Sequence, residues 1–516
     1  MNHTTQHTIP KPKILRLAYW ESCIALRSFG VQITLIVFSL LLCVSTILGI
    51  LRTTTRQNQA RIAAQENQTV KTLFLSALQG TLESNEPSEP DSEKQARLSQ
   101  QLRMTARSPY LMSHAANLWN VSLFPSPLSA LSVGNSNTWP DRYRIQGLSL
   151  SKTIRRSDDV RPVASVHGPF DTVFMVMVIA PLVIIGLTFN AASRDRESAL
   201  QNLVMAQTPS LGKMMALRCF VRTGWVIGLV VCIVNGSLLL AFGSQFDGPT
   251  VLNMAIWNII ATLYLLVWAA FSLFVNSFGK SSAANGGALL LLWLVLVLII
   301  PRLVSNAVEN SIPTQPENQL ADLEQTMIEE ASEQKDKLFQ QFNSEYPEID
   351  IRRDDEQQIA LAEYLLAHRH AGGQASENIS RHYAGQVQRA RYLNGCRWLS
   401  PAISFRTQSD VCSGNSEQAF IAFTAWAAAT QSQLTEAFLP ASIANQECTL
   451  ETIAALPELQ NRDTPKQSLL GDGMFSIGSL TLWWIILTAL GIRGFYVTQA
   501  SKADASSQQS KRVEHA

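Results

Sequence analysis

The side chains best able to engage a charged partner are concentrated in residues 190–222, between two strongly apolar segments. Five of them are basic: Arg194, Arg196, Lys213, Arg218 and Arg222. Short connections rich in Arg and Lys between membrane-spanning helices lie almost always on the cytoplasmic side of the membrane. This connector therefore predicts which way the whole chain faces, with residues 190–222 inside the cell.

Within the connector, apolar side chains recur at intervals of three and four residues, as they do on one face of an amphipathic helix. They are Leu200, Leu203 and Val204, followed by Met214, Met215 and Leu217. Arg196 and Glu197 fall on other faces, and Pro209 interrupts the helix. Two interpretations remain open: an apolar face that binds another protein, or an ordinary loop that binds nothing.

The order of residues in the connector carries a family resemblance. The matching residues are Asn190, Ser193, Asp195, Arg196, Glu197, Ser198, Leu200, Leu203, Pro209 and Lys213. In this order they resemble the first cytoplasmic loop of type-2 ABC exporter permeases, whose pattern is roughly S-x-E-R-E-x-G-T-L-x-x-L-L-x-x-P followed by G-K. The chain departs from that pattern at Ala199, where Gly-Thr is usual, and its Gly212-Lys213 pair comes early.

In that family the loop forms a coupling helix that docks into a groove of a separate ATPase subunit. The resemblance therefore implies an ATPase partner for this chain. It assigns the contact to Arg196, Glu197, Leu200, Leu203, Pro209 and Lys213.

Composition agrees with a membrane protein that also has much water-soluble mass. Of 516 residues, 47% are hydrophobic and 16% are charged, and the apolar residues are gathered into long runs. The net charge of +1 gives no reason to expect a nucleic-acid partner. The position of the charges carries more information here than their sum.

The apolar runs predict a mainly α polytopic membrane protein with six transmembrane helices. The predicted spans are residues 31–50, 172–189, 223–242, 255–275, 288–304 and 474–492. The turn at 243–250 lacks Lys and Arg, whereas the next turn has Lys280, so the two turns are predicted outside and inside respectively. Both termini are then cytoplasmic, with an interfacial elbow helix in residues 1–30 and a tail at 493–516.

Two long polar segments are predicted to be extracytoplasmic insertions, residues 51–168 and 305–472. The stretch from Phe124 to Ile145 resembles one permease subgroup, the one with large extracytoplasmic insertions. Arg397–Ala402 and Ala419–Trp426 resemble the same subgroup.

The sequence gives no reason to expect enzymatic activity or a cofactor. Gly279-Lys280-Ser281 is similar to the end of a phosphate-binding loop, but such a loop needs a glycine where position 274 is Phe. ATP hydrolysis is therefore expected from a partner chain. None of the predicted spans carries Asp, Glu, Lys or Arg at depth, so coupling to protons or sodium is not expected.

Asn235 and Asn258 are the strongly polar side chains in the middle of spans. They are candidates for lining a translocation pathway or, alternatively, for hydrogen bonding between helices.

Three of the seven cysteines, Cys396, Cys412 and Cys448, fall in the second insertion. If that segment is oxidised, a Cys396–Cys412 bridge closes the shortest loop and leaves Cys448 free. His368, His370 and His382 with Glu363 could hold a metal, but solvated histidines are the simpler interpretation and no metal is expected.

The sequence thus predicts the permease subunit of an ATP-driven exporter in the inner membrane of a bacterium. Two such chains, identical or different, would pair and move a substrate out of the cytoplasm or the membrane. One alternative is a mechanotransmitting membrane protein that moves nothing through its spans and drives a periplasmic partner. The other is a membrane scaffold or assembly factor without energy coupling.

Overall fold

The structure is a computed structural model that describes residues 14–79, 100–101, 103–114, 120–134, 136, 139–145, 170–198, 210–312, 317–349, 351, 355–450, 462–463 and 469–514. These residues are mostly helical, and six helices are long and apolar enough to cross a membrane. Spans 1 to 6 lie in Phe29–Leu78, Thr172–Glu197, Leu211–Gln245, Gly248–Ser277, Ser282–Ser311 and Gly473–Thr498. The chain is therefore a multi-pass α-helical membrane protein.

The spans are longer than the apolar runs that predict them, because a helix does not have to end where the bilayer ends. The first helix runs without a break for 50 residues, which is about 75 Å at 1.5 Å per residue. A hydrocarbon core is only about 30 Å thick. The C-terminal part of this helix therefore projects into the first insertion.

Four spans begin at a side chain that accepts a hydrogen bond from the first turn. Asp171, Ser210, Asp247 and Ser281 each accept one from the backbone N–H three residues later. Asp and Ser are favoured at this position because the first N–H groups of a helix have no partner within it. These capping residues fix where spans 2 to 5 start.

Spans 2 and 4 are the central helices of the bundle. In their most apolar windows 72% and 67% of residues are buried, against 17–33% in the other spans. The outer spans expose apolar side chains such as Leu40, Leu291 and Ile486. Contact with water is unfavourable for such apolar faces, so they are suited to contact with lipid.

Spans 2 and 5 each contain one π-helical turn, Met175–Ile179 and Leu294–Ile299, close to a proline. Pro181 has no N–H to offer the carbonyl of Met177, and the Tyr264 hydroxyl donates to that carbonyl instead, at 2.7 Å. Ser400 donates in the same way to the carbonyl of Leu296, near Pro301. Neighbouring side chains thus replace the backbone hydrogen bonds that proline removes.

Outside the spans the main elements of the described chain are seven helices and three short strands, and residues 100–101 and 103–107 are also helical. The helices are α1 Ile14–Arg27, α2 Pro109–His114, α3 Glu317–Glu333, α4 Lys335–Glu345, α5 Glu356–Gly395, α6 Pro401–Ser413 and α7 Glu417–Ile443. The strands are β1 Asn120–Phe124, β2 Arg142–Arg144 and β3 Arg462–Asp463. β1 lies in the middle of the sheet, antiparallel to β2 and parallel to β3.

The two insertions share one hydrophobic core. Phe74, Val121 and Tyr143 of the first insertion are buried in the same cluster as Phe423 and Phe438 of the second. The pairing of β1 with β3 also joins the two insertions. The two insertions are separate segments of the sequence, but they fold together as one unit.

The bundle has two ends, which differ in what they carry. The connector end holds α1, the connector helix Ser193–Glu197, the start of span 3 and the turn Phe278–Ser281. The insertion end holds the 3-10 turn Pro127–Ala130, Asp171 and the residues that join α6 to α7. Successive spans run between these two ends in alternating directions.

Candidate functional site

The connector end is built around two arginines on the first turns of span 3. Arg218 contacts Asp195 of the connector helix and Glu21 of α1, the latter at 3.4 Å. Arg222 contacts Glu21 at 2.8 Å and donates to the carbonyl of Leu187 in span 2 at 2.9 Å. The four charged side chains are only 5–19% exposed. Two acids and two bases therefore form a neutral, largely buried clamp.

The clamp fixes α1 as well as the connector helix. Tyr19, Trp20 and Ile24 of α1 are more than 60% exposed. An exposed face of this composition, on a helix that precedes a span, suits the membrane interface. Glu21 joins α1 to span 3 through Arg218 and Arg222.

Arg196 and Glu197 bind the second turn on the same end of the bundle. The Arg196 guanidinium donates to the carbonyl of Lys280 at 2.7 Å. The Glu197 carboxylate accepts from the backbone N–H of Ser282 at 2.8 Å and from its hydroxyl at 2.9 Å. A carboxylate at the N-terminus of a helix is stabilised by the helix dipole. Glu197 thus links the connector helix to the start of span 5.

The remaining residues predicted to contact an ATPase are only partly described. Leu200, Leu203 and Pro209 lie outside the described residues. Lys213 is exposed in the first turn of span 3, and its N–H is capped by Ser210, whose hydroxyl donates to Tyr496 at 2.9 Å. The described part of the connector thus shows how the connector is attached to the spans. The face that would dock an ATPase stays a prediction.

Sequence reasoning missed two members of this site, Glu21 and Ser282. Glu21 is the one acidic residue in α1, on a helix that otherwise carries Arg16 and Arg27. A lone acid beside aromatic residues could have indicated a basic partner. Ser282 follows the capping residue Ser281, so the sequence could indicate the start of a helix there. It could not indicate that the Glu197 carboxylate binds Ser282.

Asn235 of span 3 and Asn258 of span 4 bind each other. Each side-chain amide donates to the other's oxygen at 2.9 Å, and each also donates to the backbone carbonyl four residues earlier. Both amide groups are therefore occupied within the bundle. This geometry matches the alternative of hydrogen bonding between helices.

A compact joint connects the insertions to the spans. Asn415 donates to the carbonyl of Ser132 at 2.6 Å and accepts from the Ser129 hydroxyl at 3.1 Å. Asp410 accepts from the Ser132 hydroxyl, and Asp171 accepts from the N–H of Val133 at 2.8 Å. One loop of the first insertion thus holds the capping residue of span 2 and the end of α6.

Glycines allow the close approaches within this joint. A Cβ on Gly49 of span 1 would collide with the carbonyl of Ala130. Gly134 has φ +49°, and a Cβ there would lie 2.5 Å from the carbonyl oxygen of Asn415. Only glycine adopts this backbone conformation at little cost. Substitution at either position would therefore push the joint apart.

All seven cysteines are free in this structure, including Cys396, Cys412 and Cys448. Cys396 precedes α6 and Cys412 is near its end, so the loop between them contains a helix that rises roughly 17 Å from Pro401 to Cys412. A disulfide needs Cα atoms within about 7 Å. The Cys396–Cys412 bridge predicted from the sequence is not formed, because a rigid helix fills the short loop.

The histidine group does not converge on a point in the described residues. His368 Nδ1 binds the carbonyl of Tyr364, and His370 Nε2 binds the Gln374 amide, both within α5. Glu363 pairs with Lys335 at 3.6 Å. The side chain of His382 lies outside the described residues.

Comparison with known families finds a match for one part of the chain. Residues 317–461 match the family described as Domain of unknown function (DUF3526). These residues include α3 to α7 and lie between spans 5 and 6. No curated protein matches the chain.

Proposed function

We propose that this chain is the membrane subunit of a type-2 ATP-driven exporter. Two such chains would form the transporter, and a separate ATPase subunit would dock at the connector end. The residue order from Asn190 to Lys213 supports this proposal, because it resembles the coupling loop of such permeases.

The clamp at the connector end is the observation that carries the proposal. The connector helix contacts span 3 through Asp195, the turn before span 5 through Arg196, and span 5 through Glu197. A force on this short helix would therefore act on spans 2, 3 and 5 together. Rigid-body movement of several packed helices is a common way to switch a membrane pathway between its two sides.

The proposal places the connector end in the cytoplasm and the insertions outside, in the inner membrane of a bacterium. Single cysteines introduced into a cysteine-free chain test this topology with an impermeant thiol reagent. We expect labelling of intact cells at positions 84 and 335, and no labelling at positions 207 and 506. Labelling at position 207 in intact cells would contradict the orientation.

Docking of the ATPase is tested by placing a charge on the proposed apolar face. Leu200→Asp or Leu203→Asp should cost several kcal/mol of association, roughly the cost of an unpaired charge in an apolar contact. Co-purification of the ATPase and stimulated ATP hydrolysis are the measurements, with Gln207→Ala as the control in the same connector. Wild-type association and hydrolysis in both Asp variants would show that the connector is an ordinary loop.

A second candidate function is mechanotransmission to a periplasmic partner. It is favoured by the unbroken helix Phe29–Leu78, which joins a span directly to the shared core of the insertions. The joint at Asp171 and Asp410 offers a further rigid connection. Transport by vesicles that lack any periplasmic partner would exclude this candidate and support the exporter.

A further inference from the structure

A cavity of about 470 Å³ lies in the second insertion, between α4, α5 and α7. Its volume falls in the range of about 300–1,000 Å³ that is usual for small-molecule sites. Leu338, Phe342 and Leu366 give it an apolar wall. Its polar lining includes Glu345, Arg369 and Glu436, one from each helix. The site is therefore part apolar and part charged.

The charges around the cavity do not cancel. Arg369 contacts Glu345 at 2.7 Å and binds both oxygens of Glu436, at 2.8 and 3.0 Å. One cation thus faces two carboxylates, and the lining has an excess of negative charge. Glu345 uses Oε2 for Arg369, and its side chain is 48% exposed. Its second oxygen can accept a hydrogen bond from a ligand.

Two imidazoles, those of His368 and His370, also line the cavity. The Gln374 amide nitrogen and His370 Nε2 are 3.0 Å apart. His368 Nδ1 lies 2.8 Å from the carbonyl of Tyr364, so both rings make contacts within α5. An anion in the cavity would meet two carboxylates and one guanidinium, which is already bound to both.

Two consecutive glycines of α5, Gly372 and Gly373, also line the cavity. A glycine inside a helix costs about 1 kcal/mol relative to alanine. Packing does not require either of them, since a Cβ at each position would meet no atom within 4 Å. The helix thus gives up stability at two positions that line the cavity and where a side chain would meet open space.

We propose that this cavity binds a small organic cation, an amine or amidine attached to an apolar body. The cationic group binds the free oxygen of Glu345, and the apolar body lies against Leu338, Phe342 and Leu366. The glycine pair leaves the space that the body occupies. This inference depends on the cavity alone, so failure of the exporter proposal would leave it intact.

The test uses the full chain in detergent micelles and benzamidine as the probe. Benzoate and benzyl alcohol have a similar shape but carry a negative charge or none. We expect saturable binding of one benzamidine per chain by titration calorimetry, and no saturable binding of the other two. Absence of saturable benzamidine binding, or equal binding of benzoate, would overturn the proposal.

Two variants and one control locate the site. Glu345→Gln should weaken benzamidine binding at least about tenfold, through loss of a charge-assisted hydrogen bond. Gly373→Leu should abolish binding by filling the cavity, and the free space there allows the variant to fold. Glu363→Gln removes the same charge from α5 outside the cavity lining and should bind like wild type. Wild-type affinity in Gly373→Leu would contradict the site.

Discussion

Glu21 of α1 and Arg222 of span 3 are 201 residues apart in the sequence, and their side chains meet at 2.8 Å. The Glu21 side chain is 5% exposed and also contacts Arg218. An acid buried to this extent needs its partners, because an uncompensated charge in such a place is costly. Arg218 thus holds both α1 and the connector helix, and Arg222 joins α1 to span 2.

Removal of the acid should therefore destabilise the connector end. We expect Glu21→Gln to lower the free energy of unfolding by about 3 kcal/mol, the usual cost of removing one partner from a buried ion pair. Thermal unfolding of the purified chain in micelles measures this. Arg27→Gln, on the exposed end of the same helix, serves as the control. Equal unfolding temperatures for the two variants would show that the clamp contributes no stability.

Glu197 should affect energy coupling more than ATPase docking. Its carboxylate binds Ser282 within the chain, so we expect Glu197→Gln to retain the ATPase in a pull-down. Stimulated ATP hydrolysis should fall several-fold, because the charge-assisted contact between the connector and the start of span 5 is weakened. Arg194→Gln on the exposed side of the same helix is the matched control. Loss of ATPase binding would place Glu197 in the docking face instead.

The spans could be predicted from the sequence, since each contains an apolar run long enough to cross a bilayer. The clamp could not, because periodicity describes neighbours in the chain, and Glu21 lies far from Arg218 and Arg222. The shared core of the insertions could not be predicted either, because β1 and β3 lie on either side of four spans in the sequence. No local pattern reports such a pairing.

The cysteines illustrate the same limit. Loop length alone favours a Cys396–Cys412 bridge, but the loop contains α6. We expect mass mapping under non-reducing conditions to find both thiols unbridged. A Cys396–Cys412 peptide would contradict this arrangement, in which both thiols are free.

The paired amides of Asn235 and Asn258 predict a non-additive result. Asn235→Leu alone leaves the Asn258 amide without its partner in an apolar bundle and should cost about 1 kcal/mol. Replacement of both residues by Leu should restore most of that stability, because no unpaired amide remains. Unfolding of the two single variants and the double variant measures the coupling. Additive losses would show that the amides act independently, as side chains lining a pathway would.

Asp410 predicts that the stability of the joint depends on pH. Burial raises the pKa of this carboxyl from 3.8 to about 6 and the neighbouring charge of Asp171 adds to this, although Arg406 and the Ser132 hydroxyl oppose them. The folded chain therefore holds a proton on Asp410 at pH values where the unfolded chain has released it. Stability from this group is complete below about pH 4 and is lost as the pH rises through about 6.

Two pKa units correspond to roughly 3 kcal/mol, so the unfolding free energy should fall by up to that amount between pH 4 and pH 7. Asp410→Asn keeps a side-chain oxygen for the Ser132 hydroxyl and should remove this part of the pH dependence. Asp336→Asn, on the exposed first turn of α4, controls for the loss of one carboxyl. Denaturant unfolding across this pH range gives the slopes. An Asp410→Asn slope equal to that of wild type would mean that Asp410 is already ionised in the folded joint, with Arg406 compensating its burial.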